Sequence, residues 1–180
     1  VAAGIQLLTV LPFLLSIIVV WSSGADAQAA AEAELTRQGL PASVLAEHGV
    51  SFGSNTAETP LPAAIVVVLV VLALLNLTGR RAGRVLSWVF HPLLAVAGAL
   101  IVPAQLFTAT FLAANFRDSG DPVLRQVDVP QLVGAARAAM PSWLPVVDGA
   151  KLVLTTAGSL VVIVLLTLPS ARACRSARNK

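Results

Sequence analysis

Apolar residues in this chain fall into four long blocks without a polar side, separated by stretches where polar and charged residues return. The clearest block runs from Leu61 as PAAIVVVLVVLALLNL and stops at Thr78-Gly79-Arg80-Arg81-Ala82-Gly83-Arg84. A surface helix of a soluble domain repeats polar positions with a 3.6-residue period, and this run has none. About eighteen uncharged residues cross roughly 30 Å of hydrocarbon as a helix, which satisfies its own backbone there. The run therefore reads as a membrane span ending in a short arginine loop, and short loops rich in Arg and Lys stay cytoplasmic.

The same reasoning places spans at about 3–21, 61–78, 86–113 and 147–168. Residues 22–60 and 114–146 become extracytoplasmic loops, 79–85 a cytoplasmic loop and 169–180 a cytoplasmic tail. The first block, Val1 to Trp21, carries no charge; Gln6, Thr9 and Ser16 are its polar side chains, and Pro12 is expected to bend it. A secretory signal would have a basic start and a shorter apolar core, although Ser22-Ser23-Gly24-Ala25 imitates a cleavage site. The absent basic start points either to a trimmed amino terminus or to orientation set by later loops. No charge occurs between Arg84 and Arg117. At about 1.5 Å per residue that stretch exceeds the hydrocarbon thickness, so the third helix is expected to tilt, kink or project outward, with Pro92 and Pro103 as kink positions. Ala95, Gly98 and Ala99, and Gly158 in the fourth span, are candidate helix-packing residues, because small side chains let backbones approach. Topology anchors are the interfacial aromatics Trp21, Trp88 and Trp143 and the cations Arg80, Arg81, Arg84, Arg172 and Arg175.

Between spans the pattern predicts short helices. Ala25 to Gln38 is rich in helix formers and meets Gly39, a stop signal, and the first span is able to run on into it. Pro41 opens a second helix that Gly49 closes. In the other loop, FRDSGDP reads as a turn and Val123 to Val129 as weakly extended. Pro130 to Met140 reads as a short helix with Leu132, Val133 and Ala136 on one side, and Pro141 to Pro145 as a return to the membrane surface.

Of the 180 residues, 57% are hydrophobic and 12% charged, against about a quarter charged in soluble domains. A net charge of +3, scattered along the chain, argues against a nucleic-acid partner. Ten of the twelve cations are Arg and Tyr is absent, a codon bias of GC-rich bacterial genomes. Cys174 is the only cysteine. It excludes an internal disulfide and reads as a free thiol in the tail, with lipidation as the other reading. The match of Asn76-Leu77-Thr78 to a glycosylation sequon falls at the inner membrane face, where it has no meaning.

Catalytic chemistry is missing. There is no nucleophile elbow, no phosphate-cradling loop and no Ser with a candidate base, so the chain is read as no enzyme and no cofactor is implied. Pumps and ion carriers place ionisable groups at mid-membrane, and no predicted span holds one in its interior. Asp148 and Lys151, three residues apart at the outer end of the fourth span, read as a helix-surface ion pair. His91 reads as a hydrogen-bonded structural residue, with a proton or metal role as the alternative; His48, on the other side of the membrane, excludes a two-histidine metal site. Gln105, Thr108 and Thr110 either line a polar pocket or bond between helices.

The Ala/Val/Leu/Arg bias, the four-span plan, the Trp21-Ser-Ser-Gly exit and the Arg80-Arg81 loop resemble small four-span actinobacterial membrane proteins, including the LucB-type accessory subunits of mycobacterial Mce lipid importers. That resemblance implies a non-catalytic subunit at the edge of a lipid-uptake machine, with membrane lipids and integral membrane subunits such as an importer permease as partners. The resulting expectation is an all-α integral membrane protein of the bacterial inner (plasma) membrane. It has four transmembrane helices, both termini cytoplasmic and short helices in two extracytoplasmic loops. The leading function is an accessory or regulatory subunit of a cell-envelope complex. The alternative is a small homo-oligomeric carrier or channel for an apolar or neutral solute.

Overall fold

The computed structural model describes residues 2–53, 60–79 and 81–167. Among them there is no strand, and four helices are long and apolar enough to cross a membrane. In order these are α1 (Ala2–Arg37), α2 (Ser43–Glu47), α3 (Pro60–Leu77), α4 (Arg81–Leu106), α5 (Thr108–Asp118), a 3₁₀ turn (Leu124–Gln126), α6 (Val129–Ala138) and α7 (Leu144–Val153). A π-helical segment, Leu154–Gly158, then leads into α8 (Ser159–Thr167). The fourth membrane-length helix is the whole run Leu144–Thr167. Arg80, Arg172, Arg175 and Cys174 lie outside the described residues, as does the rest of the tail.

The chain divides into two compact units. A span unit holds residues 1–14, 63–103 and 148–180, and a loop unit holds residues 15–62 and 104–147. In the span unit the usual distribution of polarity is reversed. Only 17% of the apolar window of α3 is buried, and Leu74, Val89, Leu93, Val96, Leu100 and Val164 are exposed. Polar side chains, Gln6, Thr9, Ser87, His91, Lys151, Thr155 and Ser159, are buried instead. Water would not tolerate such a surface, whereas lipid chains cover it without cost. Val10, Phe13, Leu69 and Leu94 form a small apolar cluster within the unit.

Helix packing there depends on small residues at two points. Gly98 on α4 is buried directly against Thr155, and a Cβ at position 98 would stand 2.6 Å from Thr155 Cβ. Gly83, also buried, leaves no room for a Cβ against Leu75. Gly158 lies in ordinary contact range of Ile5, while Ala95 is half-buried and Ala99 exposed.

The loop unit is built as a water-soluble domain is. Ala27, Ala31 and Leu35, at i, i+4 and i+8 on α1, are fully buried with Val44 and Leu45 of α2, Phe116 of α5, Leu124, and Leu132, Val133 and Ala136 of α6. Local stops shape this core. Leu40 N–H bonds Leu35 carbonyl and Gly39 N–H bonds Thr36 carbonyl (both 3.0 Å), with Gly39 at φ 79°. Val50 on Leu45 and Gly49 on Ala46, with Gly49 at φ 65°, repeat the arrangement. Both are Schellman endings in which the left-handed residue is glycine and an apolar pair closes the turn. Asp128 caps α6 by accepting from Gln131 N–H at 3.2 Å, and Pro130 sits in its first turn.

Three local features fill in what the sequence pattern left open or read otherwise. The first span and the Ala-rich stretch after it form one unbroken helix with Pro12 inside it. The long charge-free run breaks at neither proline: Pro92 and Pro103 both lie within α4, and the interruption comes at Phe107 (φ −106°, ψ 34°). There Thr108 Oγ1 bonds the carbonyls of Ala104 and Gln105 at 3.3 and 2.6 Å. These bonds compete with the next turn of helix. Residues 123–129 form no extended segment; Asp121 Oδ1 accepts from Val123 N–H at 2.7 Å and turns the chain into the 3₁₀ turn.

Gly98→Ala is expected to destabilise the span unit by about 1–3 kcal/mol, the usual cost of overpacking, read as a lower midpoint in detergent unfolding. Thr155→Ala added to it, which keeps the crowding Cβ, restores only part of the loss.

Candidate functional site

Polar side chains inside the span unit form two clusters. The first ties three helices. Gln6 Nε2 on α1 donates to Ser87 Oγ on α4 at 3.1 Å, and Asn76 Nδ2 on α3 donates to both Gln6 Oε1 (3.0 Å) and Ser87 Oγ (2.9 Å). The result is a closed triangle of side chains whose sequence separations are 81, 70 and 11 residues. Among lipid-facing helices such bonds contribute roughly 0.6 kcal/mol on average and up to about 1.7. One turn along α4, His91 is 2% exposed. Its Nδ1 is 3.1 Å from the Ser87 carbonyl, which can only accept, so Nδ1 carries the proton and Nε2 is the acceptor nitrogen. The Phe90 ring meets it edge-on at 6.1 Å.

The second cluster lies on the fourth long helix. Lys151 Nζ pairs with Asp148 Oδ1 at 2.8 Å and stands 6.0 Å from the centre of the Phe13 ring. The pair forms at the i, i+3 spacing, but it is not a helix-surface pair: Lys151 is 5% exposed. An ammonium removed from water needs a close carboxylate, and the face of an aromatic ring adds to its stability. Directly below, Thr155 Oγ1 donates to Lys151 carbonyl at 2.8 Å and Thr156 Oγ1 to Leu152 carbonyl at 2.6 Å. These hydroxyls occupy carbonyls at the start of the π-helical segment, where the wider turn leaves regular i→i−4 bonding. One turn further, Ser159 Oγ is buried with no hydrogen-bond partner among the described residues. Asp148, Lys151, Thr155 and Ser159 thus mark one side of the helix at helical spacing.

The loop unit carries a third network. Arg37 Nε and Nη2 donate to the two oxygens of Glu34 at 2.7 and 2.6 Å, and Arg37 also reaches Gln131 Oε1. Gln38 joins Glu34 at 2.8 Å, accepts from Asp128 N–H at 2.8 Å and donates to Asp128 carbonyl at 3.2 Å. The end of α1 is thereby fastened to the start of α6. The Arg37 guanidinium, with help from the Gln38 amide, holds the Glu34 carboxyl below its ordinary range. His48 Nε2 and Asp121 Oδ2, 3.3 Å apart, bring the two loops together a second time.

Of the topology anchors, Trp21, Trp88 and Trp143 are exposed (68%, 43% and 44%), as is Arg81, and Arg84 is half-buried. Thr108 bonds within its own turn, and the Gln105 carbonyl also accepts from Arg137 at 3.4 Å. The triangle of Gln6, Asn76 and Ser87 is not predicted from the sequence. Its signal is an amide in each of two charge-free runs, which lipid cannot solvate. No group of three His, Cys, Asp or Glu side chains among the described residues could hold a metal. No family model matches the chain, and no curated protein or solved structure matches it either.

Asp148→Asn alone is expected to cost on the order of 3 kcal/mol, because it takes the carboxylate away from the buried Lys151 ammonium. Asp148→Leu with Lys151→Met returns stability to near the parent value, measured by denaturant titration in detergent. Glu34 has a lowered folded-state pKa, so its contribution to stability is complete above the unfolded value of about 4.3 and disappears as pH falls through the folded one. Thermal midpoints should therefore drop below about pH 4.5, and Glu34→Gln should flatten that part of the profile.

Proposed function

We propose that the protein is a non-catalytic accessory or regulatory subunit of a larger bacterial cell-envelope complex, seated in the inner membrane. Both termini and the 79–85 loop are cytoplasmic in this reading, because arginines cluster in that loop and in the tail, and four spans bring the amino terminus to the same side. The loop unit, whose first segment holds Asp26, Glu32, Glu34 and Glu47 against Arg37, is then extracytoplasmic. The observation that carries the proposal is the core of the loop unit. Chain that merely links spans needs no buried Leu35, Leu45, Phe116 and Leu132. Two loops folded onto one another with two glycine stops and an arginine–glutamate lock suit a recognition surface. The partners are membrane lipids and other integral membrane subunits. The resemblance read from the sequence favours a lipid-import machine of fatty-acid or mycolic-acid type, with its permease as the neighbour.

A second reading, a homo-oligomeric carrier or channel for a neutral or apolar solute, draws on the buried hydroxyls of Thr155 and Ser159. Extraction from the native membrane in mild detergent separates the two. A subunit co-purifies with a defined partner set at fixed ratio, and that set dissociates when Arg37→Ala loosens the loop unit. A partner-free particle that moves solute across liposomes would overturn the subunit reading.

A further inference from the structure

Arg137, in the last turn of α6, donates through Nη2 to the carbonyls of Gln105 and Leu106 at 3.4 and 2.9 Å. Those carbonyls end α4 and have no further helical turn to receive them, so the guanidinium completes the helix terminus and its charge opposes the helix dipole. Only one of its three nitrogens is spent on this. The side chain is exposed, and among the described residues no carboxylate pairs with it.

The residue after Leu106 is Phe107, 60% exposed, and Phe111 one turn later is 51% exposed. Other residues of α5, Ala109, Leu112, Ala113 and Phe116, are the ones packed into the core of the loop unit. The exposed rings of Phe107 and Phe111 follow directly on the carbonyl that the guanidinium holds, at the end of a helix long and apolar enough to span a membrane, and that combination is chemically specific. Water disfavours the rings and a protein surface would need matching shape. A phospholipid offers both halves at once, phosphate oxygens for the planar donor fork and glycerol and acyl carbons for the rings. Because the capping bonds already hold Arg137 in place, little side-chain freedom is lost on binding.

We propose that Arg137, Phe107 and Phe111 form a seat for one phospholipid of the surrounding bilayer. The phosphodiester lies on the guanidinium, and the glycerol and upper acyl chain lie against the two rings. The site does not depend on which complex the protein serves.

The test is native mass spectrometry of the full-length protein in mild detergent, titrated with phosphatidylglycerol. The parent protein retains the lipid, and Arg137→Gln weakens retention roughly 5–10-fold by removing the charged fork. Phe107→Ser with Phe111→Ser weakens it comparably with helicity unchanged by circular dichroism. Arg137→Lys, which keeps the charge and a donor for the carbonyls, gives an intermediate result and substitutes for Arg137→Gln if that variant unfolds. Glycerol 3-phosphate, lacking acyl chains, does not compete at millimolar concentration. Equal lipid retention by the parent and the folded variants would overturn the proposal. So would competition by glycerol 3-phosphate as effective as that by lipid, which would assign the guanidinium to a soluble phosphate.

Discussion

Hydrocarbon cannot accept a hydrogen bond, and the span unit is arranged around that deficiency. An amide left facing lipid chains loses several kcal/mol of solvation, so Gln6, Asn76 and Ser87 have only one another. Their triangle joins α1, α3 and α4, elements far apart in sequence. Leucine and valine contacts between spans are nearly as favourable with lipid as with protein. The polar triangle is not interchangeable in this way, and it therefore fixes which helices meet and in what register. For the fourth long helix the buried Lys151 does the same through the face of Phe13 on α1, with Asp148 of its own helix as the counter-ion.

The loop unit obeys the opposite rule. Its interior is Leu, Val, Ala and Phe, and its polar groups lie toward the outside. One chain thus contains two solvent regimes, and α1 contributes to both. Its residues up to Leu14 belong to the unit with buried amides, and its later residues supply the alanine face of an ordinary core. The change is visible in composition, since charged residues enter α1 only beyond Trp21, beginning at Asp26.

Much of this was legible in the sequence because it is local. Charge-free runs announce the membrane-length helices, Gly39 and Gly49 the ends of α1 and α2, and Pro130 the start of α6. What was not legible depends on distant partners. The break at Phe107 needs Arg137, some thirty residues later, as well as Thr108. The burial of Lys151 needs Phe13 from the other end of the chain. An i, i+3 ion pair looks the same in sequence whether it faces water or the interior, and only the third element decides. The π-helical segment has no sequence signal beyond adjacent threonines, which occur in ordinary helices too.

Both units are assembled from separated segments: the first helix waits for partners supplied by α4, α6 and α7. During synthesis, Gln6 enters the bilayer long before Ser87 exists, and Leu35 emerges long before Leu132. A nascent chain halted before Asn76 would therefore hold an unpaired amide in lipid and, without Leu132, an uncovered apolar face in water simultaneously. Such a product is conspicuous to membrane proteases and insertion chaperones, so the interleaved order makes completeness of translation a condition for survival of the polypeptide.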